Sequence, residues 1–362
     1  MKSLNKIFAI VALCFLYVGC SQDDNSTTPD FDRKAVLADQ STIIVNSFSS
    51  LQSTTESLNN NITDFVSNPT VSGLEIARNS LYEARLAYQM CSPYSSFGPS
   101  NSNALRTELN TYPSDTSLIE QNLSTGQYSL GSVANLDAQG FPAIEYLLWS
   151  ENSTQATVDA FSNSSNRGDY LLALSSRCAD LASGVYADWN SNYSSIYREQ
   201  DGTDVGSSLG LVVNSLNLDY EKYIRDGKVG IPLGIRSLGN PLPGHIEAPY
   251  SGNSKALLKA SLQGLLQLID GSTANSASLS TYMDHVNAQH SGSALSGVIR
   301  NHINGLITQV DAVDRPLETW LIEESSAADQ MYSDLQQLVI YLKVDMTSSL
   351  GILISYQDTD GD

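Results

Sequence analysis

Positive charge is scarce in this chain: 19 lysines and arginines stand against 39 aspartates and glutamates, a formal net charge of −20 over 362 residues. That balance repels nucleic-acid phosphates and anionic lipid surfaces, and it argues against nucleic acid as a partner. Charge of either sign is sparse at 16% of residues, so Ser, Thr and Asn fill the surface instead. Only four histidines are present, His245, His285, His290 and His302. His285 and His290 are five apart in "HVNAQH", not the four of a zinc-protease helix, and no glutamate follows His285. Together with His302 they read as solvated or satisfied helix histidines. The four cysteines show no zinc spacing. No Gly-rich phosphate loop, Ser/His/Asp order or Cys/His pair emerges. "GSSLG" at 206–210 has the outline of a serine-hydrolase elbow, but no strand leads into it.

Long apolar runs are absent except at the start. Lys2 and Lys6 precede "IFAIVALCFLYVG", which ends at Cys20. A basic n-region, a short apolar h-region and a small residue before the cut read as a secretory signal. The run is too short to span a bilayer, which takes ~20 apolar residues. Gly19-Cys20 reads as a lipoprotein cleavage site, with Cys20 lipidated and residues 1–19 removed. "SQDDN" directly after it resembles an acidic export tag, which places the protein at the outer membrane, exposed at the cell surface or on the periplasmic face. Residues 20–30 are polar and form a flexible tether.

Helical periodicity dominates the remainder. Leu37, Ile44, Phe48 and Leu51 fall at 3.6-type spacing, as do Leu209, Val213, Leu216 and Tyr220, then Leu258, Leu262, Leu265 and Ile269, then Leu335, Leu338, Leu342, Met346 and Leu350. Period-two alternation is confined to the terminal "GILISYQ". Cys91 and Cys178 each lie on an apolar helical face and read as small core hydrophobes. A disulfide between them is chemically permitted in this compartment. Turn residues cluster between the stripes, and the Pro/Gly segment from Gly230 to Ser254 is long enough to suggest a functional or surface-packed loop. The boundary falls at Tyr197–Ser208, dividing a bundle over 31–200 from one over 201–362.

"GFPAIEYLLW", Gly140 to Trp149, is a helix start. Gly140 suits a cap or a close approach, and Pro142 is tolerated in the first turn, where its missing N–H would be unpaired anyway. Glu145 lies beside the apolar face of Ile144, Leu147 and Leu148, where a carboxylate favours the helix dipole. The segment also resembles the signature of the imelysin family, Gly-x-His-x-x-Glu followed by a Tyr-Leu-Leu run. "TYPSDTSLIEQNL", "KVGIPLG", "APYSGNS" and "VDMTSSLGILISYQDTDGD" resemble further family segments in the same order.

The resemblance implies an all-α fold of two packed helical-bundle units with a cleft between them, and a signature site at Gly140 and Glu145. It also implies extracytoplasmic binding tasks that include iron uptake, with peptidase activity in a few members. One position departs, since the family histidine falls on Pro142. His and Glu at i and i+3 would suit two ligands to one metal, or a metal and a general base, and proline has no lone pair to offer. The peptidase reading is weakened accordingly. His245 and Glu247 in "PGHIEAPY" could approach Glu145 and complete a site for iron or another divalent metal. "DTDGD" resembles the beginning of a calcium loop, but the twelve residues that such a loop needs are not there. The expectation is a non-catalytic lipoprotein serving an outer-membrane uptake system; the alternatives are an imelysin-type metallopeptidase and a member that binds a protein or glycan partner.

Overall fold

The computed structural model describes residues 30–356. Cys20, the signal segment 1–19, the tether up to residue 29 and the acidic end at 358–362 lie outside the described residues. From Asp32 onward the chain clusters as one compact unit. It is all-α, as the periodicity predicts. Among the described residues the only strands are a two-residue hairpin, Gln289–His290 with Ser293–Ala294.

Eight helices carry most of the architecture: α1 (Arg33–Ser67), α2 (Val71–Cys91), α3 (Gly140–Trp149), α4 (Ser165–Asp188), α5 (Ser208–Leu218), α6 (Ser254–Asp270), α7 (Leu295–Ala312) and α8 (Ser325–Val339). Short polar side chains start several of them. Asp32, Thr70, Ser164 and Ser207 each accept a backbone N–H three residues on, satisfying a donor that the first turn leaves open. The stripes read from sequence are buried, with Leu37, Ile44, Phe48 and Leu51 of α1 fully so. α1 packs on α2 and α4, α3 on α2 and α4, and α7 on α6 and α8. α2 also packs on α6, where Gly264 lets the helix approach the backbone of Gln89 and Met90. The loop at residues 200–207 separates the Ser194–Glu199 helix from α5, at the place where the sequence suggests a boundary.

Past Leu218, α5 continues as a π-helical run from Asp219 to Gly230. Wider π turns are rare and concentrate at functional sites. This one buries Asp219, Glu221, Arg225, Asp226 and Lys228, a density of charge that no amphipathic stripe would give.

The alternating "GILISYQ" is not a strand. Its described part is irregular and is held by side chains: Asn214 donates to the Leu353 carbonyl (2.9 Å) and accepts the Ser355 N–H (2.7 Å), and the Tyr356 hydroxyl donates to Glu221. Alternation here reflects one-sided packing of an extended segment without a partner strand. Cys91 and Cys178 are free, buried thiols, so they form no disulfide.

Candidate functional site

Gly140 opens α3 at φ +69°, and a Cβ there would lie 2.4 Å from the Leu109 carbonyl oxygen and 2.6 Å from that of Glu108. Only glycine meets both demands, the left-handed backbone and the close approach. Pro142 sits in the first turn without losing a helical hydrogen bond. At the other end of α3, Arg78 donates to the Leu148 carbonyl (2.7 and 3.0 Å) and Arg167 to that of Leu147 (3.0 Å), covering open acceptors.

Glu145 does not serve the helix dipole. It lies beyond the first turn, is completely buried, and faces Arg85 of α2 at 2.9 Å. One carboxylate oxygen accepts both the Ser251 N–H (2.8 Å) and the Ser251 hydroxyl (2.5 Å). The other oxygen takes the Arg85 contact, which is a charge contact without hydrogen-bond alignment. None of the three Arg85 guanidinium nitrogens has a hydrogen-bond partner among the described residues. Glu318, on the Leu317–Glu323 helix, is a further carboxyl in this neighbourhood. Its pKa is raised by partial burial, and the charge of Glu145 adds to the rise.

Glu247 is buried too, and the charge of Arg85 also acts on it. Gln89 (2.9 Å) and Asn110 (2.7 Å) donate to one of its oxygens, and Lys228 pairs with the other. Lys228 also donates to Gln89 (3.0 Å), which accepts the Ser261 hydroxyl at 2.8 Å. Burial pushes the Glu247 pKa up, but Lys228 and Arg85 together outweigh it and hold the carboxyl below the ordinary glutamate value. Glu247 is therefore an ionised carboxylate with its cations already in place.

Two cavities flank the segment Tyr112–Pro113. One, of about 200 Å³, has Pro142, Glu145, Ser114, Ile246 and Tyr250 in its walls. The other, of about 310 Å³, is lined by Arg106, Asn110, Lys222, Tyr223, Ile231 and His245. Tyr112 and Pro113 belong to both. The long loop after Gly230 thus delivers His245 to one cavity, Ile246 and Tyr250 to the other, and Ser251 to Glu145.

Glu145, His245 and Glu247 do not converge as a metal-ligand set. Among the described residues no three His, Cys, Asp or Glu side chains come together in a group that could hold a metal ion. His245 is exposed in the wall of the larger cavity, while each glutamate is met by a buried cation. A resident divalent metal needs carboxylate oxygens with free lone pairs, and Glu145 has Ser251 on one oxygen and Arg85 on the other. The residues present do not fit such an ion. Elsewhere, His290 contacts Asp345 through Nδ1 (2.7 Å) and His302 contacts the Asp334 carbonyl through Nε2 (2.6 Å), so both are satisfied, the first from the hairpin instead of a helix.

Sequence reasoning missed Arg85, Lys228 and Ser251. Arg85 could have been found, because it falls on the apolar face of α2 beside Leu81, Ala84 and Tyr88, where an unpaired charge would be costly. Lys228 and Ser251 sit in irregular or π-helical backbone, where no periodicity marks an inward position.

No described helix is long and apolar enough to cross a membrane. A search of the curated proteins finds no match. Two solved structures share the fold. An imelysin-like protein from Psychrobacter arcticum 273-4 superposes with a TM-score of 0.69 at 15% identity, covering 90% of this chain and 99% of that one. A protein from Parabacteroides distasonis ATCC 8503, named as an iron-regulated protein A precursor, gives 0.73 at 15% identity, covering 90% and 97%. The Imelysin family profile matches residues 44–342, most of the chain, and the protein therefore belongs to the imelysin family.

Proposed function

We propose that this chain is a non-catalytic, extracytoplasmic binding protein of the imelysin family that serves iron or metal uptake, anchored to the outer membrane through a lipidated Cys20. The observation that carries the non-catalytic part is the state of Glu145. Its carboxylate is already neutralised by Arg85 and bonded by Ser251, and Pro142 stands where the family keeps a histidine. A peptidase would need that carboxylate free to hold a metal or move a proton. Iron enters through the name of the Parabacteroides distasonis protein, an iron-regulated protein A precursor of the same fold. That word "precursor" also agrees with the secretory signal read at residues 1–19. Because Glu145 and Glu247 both have their cations, the cargo is a complexed metal rather than a bare ion.

Calorimetric titration of the chain beginning at Ser21 tests this, using ferrous, ferric, zinc, copper and calcium ions beside ferric citrate. The expected result is saturable binding of the ferric complex, no tight binding of bare ions, and at least about tenfold weaker binding in Glu145→Gln. Tenfold corresponds to about 1.4 kcal/mol. Absence of binding for every form of iron would discard the uptake reading in favour of a protein or glycan partner. Cleavage of unfolded protein substrates would restore the peptidase reading.

A further inference from the structure

The larger cavity is distinct in charge from the rest of the molecule. Acids outnumber bases two to one in the sequence, yet no aspartate or glutamate lines it. Its ionisable walls are Arg106, Lys222, His245 and the phenols of Tyr112 and Tyr223. Lys222 makes no ion pair among the described residues; its ammonium lies 5.5 Å from the Tyr223 ring centroid. Arg106 stacks on the Tyr223 ring from 3.7 Å, and its hydrogen bonds to Ser92, Ser95 and Asp219 all use one nitrogen, Nη2. Nη1 and Nε have no partner among the described residues, and Nε is fully buried. Asp219 offsets the Arg106 charge, so the net positive charge of the cavity is that of Lys222, joined by His245 when protonated. Arg106 supplies direction: a planar guanidinium held by stacking and by Asp219, with donors unused.

Pro113, Ile231 and the ring of Tyr112 give the cavity an apolar side, beside the uncharged polar Thr107, Asn110 and Thr111, and about 310 Å³ is the size of a small organic molecule. An apolar body with one negative group matches this division of the walls. A carboxylate matches the open Nη1 donor of Arg106 together with the Lys222 ammonium.

We infer that this cavity is a binding site for a small carboxylic acid with an apolar body, its carboxylate held by Arg106 and Lys222 and its body against Tyr112, Pro113 and Ile231. The site does not depend on iron or on Glu145. A ligand here needs no metal, and Tyr112 and Pro113 stand between it and the signature cavity.

The test is calorimetry on the metal-free chain beginning at Ser21, with benzoate as the probe, benzamide as its uncharged counterpart and inorganic phosphate as a non-carboxylate anion. Benzoate should bind saturably and benzamide at least about tenfold more weakly. Lys222→Ala, an exposed position where folding is not at stake, should weaken benzoate about threefold and flatten its salt dependence. Arg106→Lys keeps the charge facing Asp219 but loses the Nη1 donor, and should weaken it about tenfold or more. Tyr250→Ala, at an exposed position in the wall of the smaller cavity, should leave benzoate binding unchanged. Equal binding of benzamide, preference for phosphate, no benzoate binding by the folded wild-type chain, or indifference to Lys222→Ala would each overturn the assignment. Loss of binding in Tyr250→Ala would move the ligand to the signature cavity and overturn it as well.

Discussion

Arg85 and Glu145 meet 2.9 Å apart with about 1% of either side chain exposed, joining α2 to α3 by charge with no aligned hydrogen bond. Removing one partner strands the other in the core. Arg85→Met should cost about 3–5 kcal/mol, and the double variant Arg85→Met/Glu145→Leu should recover a large part of that. Urea denaturation of the two proteins measures it. An equal loss in both would mean that the pair acts through packing and not through charge.

The same contact decides what a restored histidine can achieve. Pro142→His places an imidazole one turn before Glu145, at the spacing of a two-ligand metal site. With Arg85 still on the carboxylate, zinc affinity should rise little. Combined with Arg85→Met it should rise at least about tenfold. Zinc titration by calorimetry distinguishes the cases, and strong binding by Pro142→His alone would show that Arg85 yields the carboxylate freely.

Glu247 carries a pH signature. Its folded pKa is held below the ordinary glutamate value of 4.5 by Lys228 and Arg85 against the cost of burial. A depressed carboxylate contributes stability that is complete above the unfolded pKa and is lost as pH falls through the folded one. The wild-type chain should therefore lose stability below about pH 4.5, and Glu247→Gln should show a shallower acid limb from a lower starting stability. Denaturation midpoints from pH 3 to 7 supply the comparison; identical slopes would remove Glu247 from the acid response.

Cys91 and Cys178 should be inert in the native protein. Burial pushes the Cys178 thiol up to about 12 and the Cys91 thiol well above its ordinary value, so thiolate is scarce and access is closed. A thiol reagent should label neither until denaturant is added, and then both. Native labelling would point to local opening of α2 or α4.

Much of this molecule is legible in its sequence, and the illegible part has a physical pattern. The stripes of α1, α5, α6 and α8 announce themselves because a helix buries one face at a fixed period. Glu145 is legible by resemblance, but its meaning is not, because Arg85 lies sixty residues upstream and Ser251 more than a hundred downstream. Pairings of that kind are made by tertiary packing alone. The π-helical run hides in the same way, since Asp219, Arg225 and Lys228 read as polar sequence and are nevertheless interior. Alternation in "GILISYQ" misled for the opposite reason: one-sided burial has the same period whether or not a neighbouring strand exists.

Gly140 gives the signature a different meaning letter by letter. Its left-handed φ and its carbonyl neighbours make the glycine a matter of clearance, so Gly140→Ala would damage the backbone whatever chemistry the helix carried. Position 142, in a first turn with no helical N–H bond to lose, accepts a proline without injury to the helix. Architecture is thus written into one letter and reactivity into another, and a lineage can discard the second while keeping the first. A motif match at the glycine certifies ancestry of shape. It gives no warranty for the chemistry two residues on.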